Sequence, residues 1–449
     1  MAERIFGTDG VRGVANTQLD SKLAFDLGRA AVRFLGKRLV MGRDTRRSGD
    51  MLGAALAAGI MSRGGDVYDA GVIPTPAVAL IASRGGYDGA VMISASHNPP
   101  KYNGIKFFGA EGFKLPDALE DEMQAYIEDD CPTEDGSEPC GGSLGKLTVL
   151  TNARETYIAN AVDSLGSQDV SLEGLKIVVD CAHGASCKTT PEALERLGAD
   201  VIAINTGYDG DDINVGCGST DLGQVQQAVL DNGADVGLAH DGDADRLQAV
   251  DELGNPIDGD QIEAICAIDL RDRGLLAGNA VVSTVMCNLG LKKAMEREGI
   301  AIECTKVGDR YVLERMREKG YVLGGEQSGH MIFLQHNTTG DGLITALNLL
   351  SVLKRSGKRM SELAQVMPKY PQALVNVEVG DKGIFETDAG VAALIDREKK
   401  ALGDEGNVLV RASGTEQLIR VMVEAADDET AQRVASCIAD AIAEADARR

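Results

Sequence analysis

Hydrophobic positions change period several times along the first 130 or so residues. Leu23, Leu27, Ala30 and Phe34 recur at helical spacing behind an Asp20–Ser21 start, which predicts a helix over 21–34. The apolar run at 38–41 predicts a buried strand, and Ser48 is expected to cap a second helix through 61. A strand over 66–70, a short helix over 75–83 and a strand over 90–93 complete a β-α-β-α-β run. Ser96 falls just past that last strand, and open α/β sheets bind ligands outside the carboxyl ends of their strands.

The pattern then repeats in kind. Residues 129–146 are acidic and rich in Gly and Pro, and read as a surface loop near a domain boundary. A second unit has strands over 175–180, 201–205 and 236–240 and helices over 191–197 and 222–230. A third has helices over 260–273, 291–298 and 343–354 and strands over 280–285 and 300–305. Each unit carries a polar or glycine-rich segment at a strand end: 94–99, 241–246 and 324–330. This is a structural repeat without an obvious sequence repeat. Met367-Pro368-Lys369-Tyr370-Pro371 reads as a hinge. After it come strands over 373–379, 407–411 and 418–424 and helices over 388–402 and 429–445, a small α+β domain. The expected domains are 1–150, 151–253, 254–367 and 368–449.

Composition agrees with stacked α/β units. The chain has 449 residues, enough for three or four domains; 44% are hydrophobic, 4% aromatic and none is Trp. Fifty-four Gly imply many tight strand-to-helix turns. The net charge of −24 argues against a nucleic-acid or anionic-membrane partner and mainly serves solubility. Nine Cys, an odd number without Cys-x-x-Cys spacing, read as reduced, buried residues of a cytoplasmic protein. The N-terminal residues lack a signal-peptide layout, and no apolar stretch reaches the ~20 residues that span a bilayer.

Two segments carry chemistry. Asp241, Asp243 and Asp245 stand at i, i+2 and i+4, so in an extended loop their carboxylates share one side. Such a trio repels itself unless a cation binds, and all-oxygen ligation favours Mg²⁺ over zinc. A solvated acidic turn is the plainer alternative. An EF-hand loop is a poor one, because Arg246 replaces its glycine and a strand precedes it, although Glu252 falls at the twelfth position. In Ser94-Ala95-Ser96-His97-Asn98-Pro99, Ser96 offers a hydroxyl nucleophile, His97 a group that exchanges protons, and Lys106 soon returns a cation. No Gly-x-Ser-x-Gly surrounds the serine. A serine that carries phosphate beside a hard divalent cation is the equipment for moving phosphoryl groups on a small molecule.

Four further segments are suggestive. Arg411-Ala412-Ser413-Gly414-Thr415-Glu416, with Arg420, offers hydroxyls, a glycine backbone and two guanidiniums for a phosphate; a capped β-hairpin is the bland alternative. In 324–330, Glu326, Ser328 and His330 alternate, which suits sugar hydroxyls. Cationic glycine loops at 6–13 and 306–310 contribute Arg12, Lys306, Gly308, Asp309 and Arg310.

Phe-Gly-Thr-Asp-Gly-Val-Arg-Gly, Ser-Ala-Ser-His-Asn-Pro, Asp-Gly-Asp-Ala-Asp-Arg, Gly-Glu-Gln-Ser-Gly-His and Arg-Ala-Ser-Gly-Thr-Glu occur in an order that resembles the α-D-phosphohexomutase superfamily across the whole chain. The N-terminal motif, the length and the wording of the fourth motif resemble its bacterial branch that acts on glucosamine phosphates. The resemblance implies three related α/β domains around a central cleft plus a C-terminal α+β lid. It implies that Ser96 is the phosphoserine, and that Asp241, Asp243 and Asp245 with a phosphoserine oxygen hold one Mg²⁺ per subunit. Arg246 would support the phosphoryl group, Arg12 would lie near it, and Lys106 and His97 would be the acid/base candidates. Glu326 and Ser328 would read sugar hydroxyls, with Lys306, Gly308, Asp309, Arg310 and His330 also on the substrate side. Arg411, Ser413, Gly414, Thr415 and Arg420 would hold the phosphate that is not transferred.

The implied reaction interconverts glucosamine 6-phosphate and glucosamine 1-phosphate through a 1,6-bisphosphate, feeding cell-wall precursor synthesis. A homodimer, and an activating kinase or autophosphorylation, are implied as well. The rivals are glucose or mannose specificity on the same framework, a non-catalytic sugar-phosphate sensor, and a metal phosphatase. Ala244 stands where the family usually has Gly and Gln417 where it usually has Pro. These differences predict a slightly reshaped acidic loop and a looser phosphate loop.

Overall fold

The computed structural model describes residues 4–7, 9–133, 137–165, 170–413 and 417–448. Two compact units emerge, Met1–Met286 with Ile300–Val366 and Cys287–Gly299 with Met367–Arg449. The larger begins with β1 (Phe6–Gly7), β2 (Gly10–Val14), α1 (Ser21–Phe34), β3 (Arg38–Arg43), α2 (Ser48–Ser62), β4 (Asp66–Val72), α3 (Thr75–Arg84), β5 (Gly89–Ile93), β6 (Tyr102–Gly109), α4 (Asp117–Glu128) and β7 (Leu147–Val149). These strands make a seven-stranded sheet in the order β1-β2-β6-β5-β3-β4-β7. Its β5-β3-β4-β7 half is parallel, whereas β6, β2 and β1 add on antiparallel.

Every element expected over 21–93 forms, with ends moved by at most two residues. Asp20 caps α1, its carboxylate accepting from Leu23 N at 2.8 Å. Ser48 is not the cap of α2 but its first residue, and its hydroxyl accepts from Asn103 Nδ2 instead (2.9 Å). Helices α1 and α2 pack closely because Gly59 has no side chain; a Cβ there would meet Phe25 O at 2.0 Å. Leu27, Leu52, Leu56 and Ile60 from these helices cover Leu39, Val67, Val91 and Ile105 of the sheet. Residues 137–146 run into the edge strand β7, and Glu138 pairs with Arg29 and Arg63.

A second sheet follows, with α5 (Ala153–Asp163), β8 (Lys176–Asp180), α6 (Thr190–Arg196), β9 (Asp200–Ile204), α7 (Gly223–Asn232), β10 (Val236–His240), β11 (Leu247–Asp251) and β12 (Pro256–Ile257), in the order β12-β11-β10-β8-β9. Strands β10 and β11 pair antiparallel from His240 opposite Leu247, so the six residues 241–246 are a hairpin loop. Next come α8 (Gly259–Asp272), β13 (Ala280–Thr284), α9 (Leu289–Arg297), β14 (Ala301–Thr305), α10 (Asp309–Lys319), β15 (Leu323–Gly325), β16 (Met331–Phe333), α11 (Gly342–Ser356) and α12 (Met360–Ala364). This third sheet runs β14-β13-β15-β16, and β15 and β16 form a hairpin around 326–330.

The smaller unit takes α9 together with β17 (Gln372–Glu378), α13 (Ile384–Thr387), α14 (Ala389–Leu402), β18 (Asn407–Ala412), β19 (Leu418–Glu424) and α15 (Asp428–Ala447). Its antiparallel sheet runs β17-β19-β18. Ala431, Val434, Ala435, Ile438 and Ile442 recur along α15 at helical spacing and bury against Ile419, Val421 and Val423. None of the nine Cys forms a disulfide. Cys131, Cys181, Cys217, Cys266 and Cys287 are buried as expected, but Cys140, Cys304 and Cys437 are exposed. Among the described residues no helix is long and apolar enough to cross a membrane.

Candidate active site

Strand β5 delivers Ser94 and Ser96 to the carboxyl edge of the first sheet. Ser94 Oγ donates to Asp44 Oδ2 (2.6 Å) and accepts from Ser96 N (2.9 Å). Ser96 is buried and its backbone sits at φ 51°, the left-handed region that costs a non-glycine residue roughly 1–2 kcal/mol. Its hydroxyl donates to Asp241 Oδ2 at 2.6 Å and lies 3.4 Å from His97 Nδ1.

Asp241, Asp243 and Asp245 are all buried, and one oxygen of each lies within 4.8 Å of the others. They converge through a turn rather than through the alternation of an extended loop: Ala244 N donates to Asp241 O (3.0 Å) and Ala244 takes φ 55°. The alanine therefore adopts the left-handed backbone that glycine takes more easily, and the acidic loop closes with the alanine in place. Thr75 braces the loop, its N–H on Asp243 O (2.9 Å) and its hydroxyl on Asp243 Oδ2 (2.6 Å). Asp243 Oδ1 and Asp245 Oδ1 are buried without a hydrogen-bond partner. Two orphaned carboxylate oxygens in an all-oxygen trio fit a divalent metal ion.

Charge around the trio is arranged in a ring. Lys106, buried in β6, reaches Asp243 (2.8 Å), Asp9 (2.9 Å) and Asp245 (3.9 Å). Lys114 bridges Asp9 (2.5 Å) and Asp309 (2.6 Å). His330 lies between Asp309 (3.4 Å) and Asp245 (3.6 Å) and closes the ring. Burial opposes the ammonium of Lys106, but Asp243 and Asp9 outweigh it and hold the group charged. Burial and the two neighbouring carboxylates push Asp241 well above the usual carboxylate range, whereas His330 and Lys106 overcome burial and keep Asp245 ionised. Burial, then Arg246 and Arg12, lowers His97 to about 4. Arg12 pairs with Asp9; Arg246 approaches Asp241 (3.9 Å) and Asp245 (3.8 Å).

The 324–330 segment departs from its expected role in one respect. Gly329 turns the chain at φ 89°, its N–H on Glu326 O (2.9 Å), so the alternation of 326, 328 and 330 breaks. His330 is buried against Asp245 and Asp309 rather than set beside Glu326 and Ser328. Glu326 Oε1 accepts from Gly308 N (3.1 Å), which joins this loop to the start of α10, and Ser328 Oγ has no hydrogen-bond partner among the described residues. Lys306 is exposed. The side chains of Asp309 and Arg310 are already engaged, Asp309 with Lys114 and Arg310 with Asp117 and Glu120.

In the smaller unit, Arg411 and Arg420 stand directly opposite each other on β18 and β19. Like charges so paired destabilise a sheet unless an anion joins them. Burial and Arg420 lower Arg411 from the usual guanidinium range. Ser413 is buried beside them, and its carbonyl accepts from Lys382 Nζ (2.9 Å). Gly414 and Thr415 lie outside the described residues. Gln417 Nε2 donates to Gly380 O (3.0 Å).

Sequence reasoning missed Asp9, Asp44, Thr75 and Lys114. The signal for Asp44 was present: Gly42-Arg43-Asp44-Thr45-Arg46 ends β3 at the same sheet edge as Ser96. Asp9 stands inside the 6–13 segment without a role read for it there, and its pairing with Lys114, 105 residues away, carries no local signal.

Models of the phosphoglucomutase/phosphomannomutase family match four stretches: α/β/α domain I over 3–133, domain II over 155–254, domain III over 258–370 and the C-terminal domain over 374–441. The phosphoglucosamine mutase of Symbiobacterium thermophilum is 53% identical over 446 residues, covering 98% of both chains. That of Corynebacterium glutamicum strain R is 51% identical over 451 residues, covering 98% of this chain and 99% of the relative. A phosphoglucomutase/phosphomannomutase family protein of Burkholderia thailandensis superimposes with a TM-score of 0.81 at 27% identity, over 99% of this chain and 98% of its own. The N-acetylphosphoglucosamine mutase of Aspergillus fumigatus, solved with GlcNAc-6P and magnesium, shares the fold with a TM-score of 0.66 at 20% identity, over 98% and 96%.

Proposed function

This chain belongs to the phosphoglucomutase/phosphomannomutase family, and we propose that it interconverts glucosamine 6-phosphate and glucosamine 1-phosphate through a phosphoserine at Ser96 and a 1,6-bisphosphate intermediate. The observation that carries the reading is the 2.6 Å contact between the Ser96 hydroxyl and Asp241: nucleophile and acidic trio come from different sheets and meet. Glucosamine specificity is supported by full-length relatives at about half identity that are named phosphoglucosamine mutase.

The roles proposed for the residues are those the family resemblance implies, supported by the contacts described above. Asp241, Asp243 and Asp245, with an oxygen of the Ser96 phosphoryl group, would hold Mg²⁺, which supplies positive charge opposite the transferring oxygens. Lys106, Arg12 and Arg246 add fixed positive charge around the same point. Transfer breaks the bond from phosphorus to Ser96 Oγ and forms one to the sugar hydroxyl; the hydroxyl's proton ends on Ser96 Oγ. His97, 3.4 Å from that oxygen, is placed to take and return it, whereas the ammonium of Lys106 is tied to Asp243 and Asp9. On the family resemblance, Glu326 and Ser328 would read sugar hydroxyls, and Arg411 and Arg420 would take the phosphate that stays. His330, Asp309 and Arg310 support these loops through ion pairs. A cytoplasmic homodimer, with Ser96 first charged by a kinase or by autophosphorylation, follows the family resemblance.

The test is a ³¹P NMR competition with Mg²⁺, the matching 1,6-bisphosphates, and glucosamine, glucose and mannose 6-phosphates together. Glucosamine 1-phosphate is expected to accumulate first. Preference for glucose or mannose would move the specificity; free phosphate without any 1-phosphate would overturn the mutase.

A further inference from the structure

We propose that Arg46 and Asn214 are positioning residues that grip the Ser96 turn by its backbone carbonyls and thereby hold the serine hydroxyl on the acidic loop. The proposal rests on Ser96 being the phosphoryl carrier. Arg46 lies at the end of β3 and its side chain is completely buried. All five of its N–H donors are used. Nε donates to Asp44 Oδ2 (2.9 Å), Nη1 to Pro99 O (2.6 Å) and Tyr102 O (2.9 Å), and Nη2 to Ser96 O (3.0 Å) and Asn98 O (2.6 Å). Four carbonyls of one seven-residue turn therefore converge on a single planar fork, a geometry that only a guanidinium satisfies. Asp44 neutralises it, and the same Asp44 oxygen accepts from Ser94 Oγ, which in turn accepts from Ser96 N. The turn is thus fixed at both its N–H and its carbonyl sides.

Asn214 repeats the grip from the second sheet's domain. Its Nδ2 donates to Ser96 O (2.9 Å) and Asn98 O (3.1 Å), two of the carbonyls that Arg46 holds. Its own backbone sits at φ 61° with N–H on Ala182 O (3.0 Å), so the side chain is braced toward the turn. Both donors act on a serine whose left-handed backbone would otherwise relax toward the extended region. Asn214 belongs to the domain that carries Asp241, so its bonds keep the nucleophile in register with the trio as well as fixing its conformation.

A residue of merely structural value would lower thermal stability and leave each folded, phosphorylated site fully active. The test uses the full chain with Asn214→Gly, which removes both donors and tolerates φ 61°, and Arg46→Lys, which keeps the charge and loses the fork. Amide hydrogen exchange over 94–102 is measured without substrate. Turnover is measured on glucosamine 6-phosphate and expressed per phosphoserine determined by mass spectrometry. Faster exchange and a kcat per phosphoserine lower by about tenfold or more are expected, with KM within about twofold. Exchange over 94–102 unchanged in Asn214→Gly overturns the proposal, as does faster exchange with unaltered kcat per phosphoserine. If Arg46→Lys fails to fold, Asn214→Gly alone decides. A wild-type chain that neither forms phosphoserine nor turns over removes the proposed function, and the exchange comparison still decides whether the grip exists.

Discussion

Lys106→Met asks how far one buried ammonium stands in for a metal ion. Lys106 is 1% exposed and lies within 2.9 Å of Asp243 and Asp9 and 3.9 Å of Asp245. Met keeps most of the stem's volume and removes the charge. Deleting one partner of a buried ion pair leaves uncompensated charge and costs about 3–5 kcal/mol. The larger unit holds about 350 residues, and at about 2.1 cal/mol/K each its unfolding entropy is roughly 0.7 kcal/mol/K. The variant in EDTA should therefore melt about 4–7 °C below wild type. Both proteins are measured at pH 8. Mg²⁺ at about 100 times the wild-type dissociation constant adds about 2.7 kcal/mol to wild type, and at that same concentration it adds more to a site that binds it more tightly. In Lys106→Met it meets no competing ammonium, so the rise in Tm on adding Mg²⁺ should exceed that of wild type. Calorimetry of both proteins with EDTA and with Mg²⁺ reads all four values. A deficit under about 1 °C in EDTA, or equal Mg²⁺ shifts in the two proteins, would refute the account.

Three further outcomes are expected. Ser96→Ala should abolish mutase turnover while circular dichroism and Tm stay near wild type; substantial residual turnover would remove the phosphoserine. Arg411→Ala should raise KM more than it lowers kcat, because its phosphate is bound in ground and transition states alike; an unchanged KM would remove the phosphate assignment. Glu263 is fully buried on α8, and burial, then Asp260, pushes its carboxyl well above 4.5. A raised folded pKa means stability that is full below about 4.5 and declines as pH rises, by up to about 1.4 kcal/mol per unit. The Tm of Glu263→Gln relative to wild type should thus climb between pH 5 and 8, and a constant difference would contradict the burial argument.

Alternating helices and strands were legible because each element repeats one simple period. Strand β6 was not, since it buries Asn103 and Lys106 in mid-strand and so breaks the apolar run. The identity of the acidic trio was readable; its convergence was not, because the alternation rule assumes extended backbone and Ala244 turns instead. The same physics misplaced His330, where Gly329 reverses the chain. Ion pairs such as Lys114 with Asp309 join residues 195 positions apart, and local pattern says nothing about them. Arg46 and Asn214 share the Ser96 carbonyl from opposite sides of that blind spot, because backbone acceptors leave no mark in a sequence.

Helix α9 links two strands of the third sheet in sequence, yet it groups with the C-terminal sheet. Asn288 exchanges two hydrogen bonds with Tyr370, at 2.9 and 3.0 Å, and Leu289 N donates to Glu424 (3.2 Å). A gene fragment beginning at the hinge would therefore encode an incomplete folding unit, stripped of a helix made some 70 residues earlier on the ribosome. The C-terminal sheet depends on a piece synthesised before it, so recombination that exchanges this domain between relatives has to carry α9 along or replace its Asn288 cap.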